Sequence, residues 1–282
     1  MTAPLVGRLA PTPSGHLHLG NALAFATAWL SARNAGGRLL LRSEDLDRGR
    51  AREGVAEGQR RDLAWLGIDW DEEVAPQSTR AYSLAGVPVY RCTCNRAARL
   101  AGTCRCRAAT QGAHEQDPIV RDGAWRFLTP PGEVTFIDRA RGPQTFAPLE
   151  DPILMRDGEP GYPLAVVVDD ARDGVTEVVR GADLLDATAT QIRLHEALGL
   201  TPPTYLHAPV LLGEDGKKLS KSHGSTELRA LRAAGWTPLR VWQTLLPLLG
   251  LPRGPLAAAA VRMDPTKIPS GPFVIDAAGR VV

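Results

Sequence analysis

Lysine is almost missing from this chain. Among 33 lysines and arginines in 282 residues, only Lys217, Lys218, Lys221 and Lys267 are lysine, and the first three fall in one stretch, GKKLSKSHG. Long apolar runs are missing too. No uninterrupted stretch reaches the ~20 residues that a membrane-spanning helix needs, which excludes that class. The opening MTAPLVGRLAPTPSG has no basic flank followed by an apolar core, so no secretory signal is expected and the cytoplasm is the expected compartment. An excess of charge of one sign is lacking: the formal balance is +2, which by itself argues for no polyanionic partner, although arginines can still gather on one face. Cysteine is scarce, and all 4 sit in CTCNRAARLAGTCRC. In a reducing compartment that crowding points to a metal rather than to disulfides.

What is present describes an ordinary soluble globular chain, 44% hydrophobic and 23% charged, long enough for one large or two modest domains. LVGRLA reads as a strand that stops at the turn cluster PTPSG. A helix follows, with Leu19, Leu23, Ala26 and Leu30 at helical spacing and Gly36 and Gly37 as the stop. GRLLLRSED is a second strand, and REGVAEGQRRDLAWLGI a second amphipathic helix. This alternation begins a parallel α/β sheet. Cysteines, prolines and short β-like pieces (AWRFL, EVTFIDRARG) then mark an inserted subdomain. Next, LAVVVDD and GVTEVVRG read as strands, and ADLLDATATQIRLHEALGL as a helix with Asp183 as its N-cap. A further strand leads into the charged lysine loop. Thr237 and Pro238 start a last helix, after which the tail thins into Ala, Pro and Gly. The expected division is 1–86 and 161–210 as the two halves of the α/β domain, 87–160 as the insertion, and 211–282 as the lysine loop with a short helical segment.

Two segments suggest phosphate chemistry. PTPSGHLHLGN delivers His16 and His18 to a helix start, where free N–H groups and a partial positive charge favour phosphate. Gly20 would let a nucleotide approach the backbone. Either histidine alone reads as a local helix-start contact. The lysine loop adds compact point charges on flexible stems, suited to following one phosphate oxygen where a planar Arg fork is not.

Together, HLGN after a first strand and KLSKS some two hundred residues on resemble the two signatures of class I aminoacyl-tRNA synthetases. His18 and Gly20 match the first, with Asn21 in place of its final His; Lys218, Leu219, Ser220, Lys221 and Ser222 match the second. The resemblance implies a Rossmann-type parallel sheet carrying an inserted zinc-binding subdomain. It also implies ATP with Mg²⁺ as substrate, held by His18, Gly20, Asn21, Lys218, Ser220 and Lys221, with His18 and Lys221 as the catalytic pair. GRLAPTPSGHLHLGN, LLLRSEDLDRGR and GYPLAVVVDDARDGVTEVVRGADLL narrow it to glutamyl-tRNA synthetases. That implies L-glutamate held by Arg8, Ala10, Thr12, Glu44, Tyr162 and Arg180: Arg forks for two carboxylates and Glu44 for the ammonium.

Roughly fifty residues follow the lysine loop, too few for the helical anticodon-binding domain of a glutamyl-tRNA synthetase. The pattern therefore resembles the short, zinc-carrying glutamyl-queuosine tRNA(Asp) synthetases, which attach glutamate to the queuosine base of the tRNA(Asp) anticodon. A monomer is expected. Where that family has Tyr among its zinc ligands, this chain has Leu100, which binds no metal. Cys106 completes a four-thiolate set with Cys92, Cys94 and Cys104, and His114 is the competing fourth ligand. Two other readings stay open: a compact glutamyl- or glutaminyl-tRNA synthetase acting on the tRNA 3′ end, and a catalytically idle RNA-binding paralogue.

Overall fold

A turn of Pro and Ser separates strand β1 (Val6–Leu9) from helix α1 (Leu19–Asn34), as the sequence spacing predicts. The computed structural model describes residues 4–47, 49, 54–101, 104–107, 123–148, 150–219, 226–276 and 278–282, without the side chains of Arg96 and Leu100. α1 ends at Ala35. Gly37 then passes so close to β1 that a Cβ would stand 2.4 Å from the Leu5 carbonyl oxygen, so only glycine fits there. β2 (Arg38–Leu41) follows, then α2 (Val55–Leu66), closed by left-handed Gly67, and the short β3 (Glu72–Glu73). β2 pairs in parallel with both β1 and β3.

The next segment holds β4 (Val89–Cys92), α3 (Arg96–Leu100), β5 (Ala124–Phe127), β6 (Val134–Asp138), β7 (Gly142–Phe146), β8 (Ile153–Arg156) and β9 (Glu159–Pro160). β4, β5, β8 and β9 form an antiparallel sheet in that order. The β6–β7 hairpin does not join it. The chain continues through α4 (Tyr162–Arg172), β10 (Glu177–Gly181), α5 (Ala187–Ala197) and β11 (Thr204–Ala208), and β6 pairs in parallel with β11. β10 lies beside β1, tied by Thr176 N–H to the Val6 carbonyl at 2.9 Å. Two hydrogen-bonded sheets, β1-β2-β3 and β10-β11-β6-β7, meet side by side here, and the strand order across them is β3-β2-β1-β10-β11, with β6 and β7 beyond. It reverses between β1 and β10, and doubly wound sheets open a ligand crevice at that point, outside the carboxyl ends of the strands. β12 (Leu211–Leu212), α6 (Leu228–Ala233), α7 (Pro238–Leu245), α8 (Leu256–Ala259) and β13 (Phe273–Val274) complete the fold.

Three sequence expectations are corrected. LAVVVDD, read as a strand from its run of β-branched residues, is α4. Gly161 at its N-cap and Pro163 in the first turn start the helix, and Leu164, Val166 and Val167 bury against Trp125, Phe127 and Leu154. Tertiary burial outweighs the weak strand preference of valine. Asp183 does not cap the following helix: residues 182–184 form a 3₁₀ turn, Asp186 occupies the N-cap, and the Asp183 carboxylate accepts from the Lys218 ammonium. The tail after Pro247 does not thin out. Leu248, Leu249, Leu251, Met263, Ile268 and Ile275 belong to the main core with α1, and β13 pairs with β12.

Candidate active site

The crevice at the strand reversal is a cavity of about 560 Å³. Arg8, Ala10, Thr12, Glu44, Tyr162 and Arg180 all line it, as do His18, Gly20, Asn21 and Lys218. The fold thus brings together residues more than two hundred positions apart. Gln59 of α2 fixes the loop between β1 and α1, donating to the carbonyls of Thr12 at 2.9 Å and Gly15 at 2.8 Å.

On one wall, arginines and carboxylates interlock out of reach of water. Arg8 donates from Nε to Asp170 at 3.2 Å and from Nη1 to the Val179 carbonyl at 2.9 Å. Its Nη2 makes no hydrogen bond among the described residues, although it belongs to a cavity-lining side chain. Arg42, fully buried, donates to Asp170 at 2.6 Å and to Asp173 at 2.9 Å, and reaches Glu44 at 3.4 Å. Burial opposes charge on both carboxylates, and their partners decide the outcome. Asp170, between two guanidiniums, stays below the usual carboxylate range despite its burial. At Glu44 desolvation wins over the pull of Arg42 and Arg8, and its carboxyl is pushed up. An ammonium beside Glu44 would oppose that shift and favour its charged form.

Arg180 differs from Arg8. It is buried, yet its partners are all neutral: His207 Nε2 at 3.1 Å, Gln191 Oε1 at 2.7 Å, Thr188 Oγ1 at 2.7 Å and the Leu184 carbonyl at 3.1 Å. No carboxylate pairs with it among the described residues. A desolvated guanidinium in that condition favours an anionic ligand.

His18 is the N-cap of α1. Its Nδ1 accepts from the backbone N–H groups of Gly20 at 3.1 Å and Asn21 at 3.3 Å, while Asn21 Oδ1 accepts from His18 N–H at 3.1 Å. This reciprocal box corrects part of the sequence argument, because two of the helix-start N–H groups are already satisfied. It also settles the tautomer: a neutral ring whose Nδ1 accepts carries its proton on Nε2. Gly20 has a local purpose, since a Cβ there would meet His18 Cε1 at 2.9 Å. Asn21, in place of a second histidine, completes the cap.

Ser220, Lys221 and Ser222 lie outside the described residues, but both flanks of their loop are fixed to the site. On one side Lys218 bridges to Leu212, and Leu219 N–H donates to the Leu211 carbonyl at 3.0 Å. On the other, Glu227 forms a β-bridge with His18 itself, and Leu228 N–H donates to the Leu17 carbonyl at 2.8 Å. The described residues on both sides of that stretch, Leu219 and Glu227, therefore lie close to the first signature.

The four cysteines converge at the end of β4. Cys92 and Cys104 sulfurs stand 3.8 Å apart, Cys94 and Cys106 3.7 Å, and all four lie within 4.8 Å of one another. These distances are far beyond a disulfide bond. Four thiolates ~2.3 Å from a tetrahedral ion stand ~3.8 Å apart, so the set fits such a metal. The Cys106 backbone N–H supports the Cys104 sulfur, whose thiol is lowered to about 7, whereas at Cys92 burial outweighs the Cys94 N–H and pushes the thiol up. His114, the competing ligand, lies outside the described residues.

Residues that sequence reasoning missed are Gln59 on the lining and, behind it, Arg42, Asp170, Gln191 and His207. The one available signal was polarity inside apolar patterns, as with Gln59 on the inner face of α2 and Asp170 after three valines.

The parallel strands, the crevice at their reversal and the helix starting at His18 define an α/β protein of the Rossmann type. The chain belongs to the class I tRNA synthetases (E and Q), whose catalytic-domain profile matches residues 4–89 and 104–259. Two curated relatives within that family carry the same name. The glutamyl-Q tRNA(Asp) synthetase of Symbiobacterium thermophilum is 43% identical over 88% of this chain and 87% of its own length, and that of Nitratidesulfovibrio vulgaris 42% over 96% and 95%. Among solved structures, a glutamate tRNA ligase from Elizabethkingia meningosepticum, in complex with its amino acid, shares the fold at TM-score 0.72 and 22% identity. That likeness covers 96% of this chain and 66% of the other.

Proposed function

We propose that this chain activates L-glutamate with ATP and transfers the glutamyl group to the queuosine base of tRNA(Asp), acting as a cytoplasmic monomer. The carrying observation is one cavity that combines a buried guanidinium with no carboxylate partner among the described residues, a buried carboxylate pushed up by desolvation, and the helix-capping His18 with Lys218 on the same lining. Glutamate matches the first two. Arg8 and Arg180 receive its carboxylates and Glu44 its ammonium, with Ala10, Thr12 and Tyr162 shaping the walls. In the activation step a carboxylate oxygen of glutamate bonds to the α-phosphorus while the bond from that phosphorus to the bridging oxygen breaks, and pyrophosphate leaves. His18 Nε2–H donates to an α-phosphate oxygen, and Lys221 follows the charge growing on pyrophosphate. Gly20, Asn21, Lys218 and Ser220 complete the ATP contacts, and Mg²⁺ enters with ATP as part of the substrate. In the second step a nucleophile of the modified base attacks the acyl carbon and AMP departs.

Cys92, Cys94, Cys104 and Cys106 would hold zinc as a structural ion. With four protein ligands no position stays open for chemistry, so the ion would fix the end of β4 and the following turn.

The names of the relatives support queuosine as the acceptor. Charging tRNA(Asp) with and without queuosine, beside tRNA(Glu), with labelled glutamate tests it. Label is expected on queuosine-containing tRNA(Asp) alone. Label on tRNA(Glu) alone would replace this reading by a compact glutamyl-tRNA synthetase.

A further inference from the structure

Behind Arg180 stands a buried histidine that the activation step above does not use. His207, fully buried on β11, lies between Asp138 of β6 and Arg180 of β10. Its Nδ1 is 2.7 Å from Asp138 Oδ2, an oxygen that also accepts from the His207 backbone N–H at 3.0 Å. A carboxylate oxygen only accepts, so Nδ1 carries a proton. Its Nε2 faces the Arg180 Nε–H at 3.1 Å, which only donates, so Nε2 is bare. The remaining neighbours agree: Thr188 Oγ1 lies 3.3 Å from Nε2, Tyr205 stacks on the ring, and Arg141 adds positive charge nearby. A second proton would set imidazolium against guanidinium in a site closed to water. Asp138 is held in turn by the backbone N–H groups of Ala140 and Arg141 at 2.9 and 3.0 Å, so its orientation is fixed.

We propose that His207 is a positioning residue for glutamate: locked by Asp138 as the neutral Nδ1–H tautomer, it aims the Arg180 guanidinium into the cavity without neutralising it. An acidic partner would hold Arg180 as firmly but would spend the charge that a ligand carboxylate needs. A neutral acceptor leaves that charge available. The β6 hairpin thereby reaches the amino-acid pocket through one ring. The ligand in this inference rests on the proposed glutamate reading.

Two isosteric variants separate aim from packing. His207→Gln keeps an acceptor where Nε2 stood; His207→Asn keeps a group facing Asp138 and loses the acceptor for Arg180. In glutamate-dependent pyrophosphate exchange, His207→Asn is expected to raise the KM for glutamate at least tenfold, with the KM for ATP within twofold of wild type. His207→Gln is expected to stay within threefold for both. Equal effects of the two variants, or equal rises for glutamate and ATP, would overturn the proposal. Imidazole ¹⁵N shifts of His207 in the ligand-free wild type at pH 7 report on the ring independently of activity. A neutral Nδ1–H ring is expected, and an Nε2–H or doubly protonated ring would refute the lock. Wild-type protein with this ring but no glutamate-dependent exchange would defeat the glutamate reading, and with it the ligand named here, while leaving the contact to Arg180 intact.

Discussion

Asp170→Asn places a neutral amide where one carboxylate serves two guanidiniums. In the wild type, Oδ1 accepts from Arg8 Nε at 3.2 Å and from Arg42 Nη2 at 2.6 Å, and Oδ2 receives only a 3.4 Å contact from Arg8. An amide oxygen at the Oδ1 position keeps both short bonds but not their charge. Charge-assisted bonds are about twice as strong as neutral ones, so ~1 kcal/mol is lost at each. The buried guanidiniums are also left under-compensated, and breaking a buried ion pair costs ~3–5 kcal/mol in all. Arg42 retains Asp173 at 2.9 Å and Glu44 at 3.4 Å, which sets the expectation at the low end, about 3 kcal/mol. At ~2–4 °C per kcal/mol this is a fall in Tm of about 6–12 °C by calorimetry at pH 7.5. Because Asp170 is held below its usual range, its stabilisation is present above the unfolded carboxylate range and is lost only as the pH falls through the lower folded value. The gap between variant and wild type should therefore persist from pH 8 to pH 5. The anchor of Arg8 loses its charge too, so the KM for glutamate should rise at least tenfold. A Tm within about 2 °C of wild type, with unchanged KM, would refute the idea that this carboxylate organises the wall.

Gly20→Ala should change stability little, because the better helix propensity of alanine, about 1 kcal/mol, is offset by the loss of the His18 cap, about 1 kcal/mol, yet slow pyrophosphate exchange at least tenfold by displacing His18; an unchanged rate would show that the ring is not needed where it lies. Cys104→Ser should cost the bound metal, read by elemental analysis, and speed amide exchange in β4 and β5, while full metal content would remove the four-thiolate assignment. Asp62, pushed up to about 6 chiefly by burial against the pull of Arg232, Arg61 and Arg229, is charged at pH 8 at some cost to the fold. Asp62→Asn should raise Tm at pH 8 by about 2–4 °C, and the gain should fade as the pH falls through 6 towards 4, where the folded state holds the extra proton. A pH-independent gain would assign the effect to something other than that charge.

Much of the cavity lining was legible in the sequence because it is carried by chain-local signals. A strand, a Pro/Ser/Gly turn and an amphipathic helix place His18; a scarcity of lysine draws attention to the loop at 216–224; four cysteines in close succession need no fold to be noticed. The strand-and-helix alternation up to residue 68 was legible for the same reason. What was not legible depends on partners far along the chain. Val166 to Val168 look like a strand until Trp125, Phe127 and Leu154 pack against them as a helix. Asp183 looks like a cap until Lys218 arrives from the lysine loop. His207, Gln191 and Asp170 carry no local signature at all, since their importance lies in which buried arginine each one meets.

Crystals of the protein with a non-hydrolysable glutamyl-adenylate analogue test the central claim most directly. The analogue should lie in the crevice between β1 and β10, with its side-chain and acyl ends at Arg180 and Arg8, its ammonium against Glu44, and its phosphate mimic within hydrogen-bond distance of His18 Nε2. An analogue bound elsewhere, or bound here with the phosphate mimic turned away from His18 and the 220–225 loop, would contradict it.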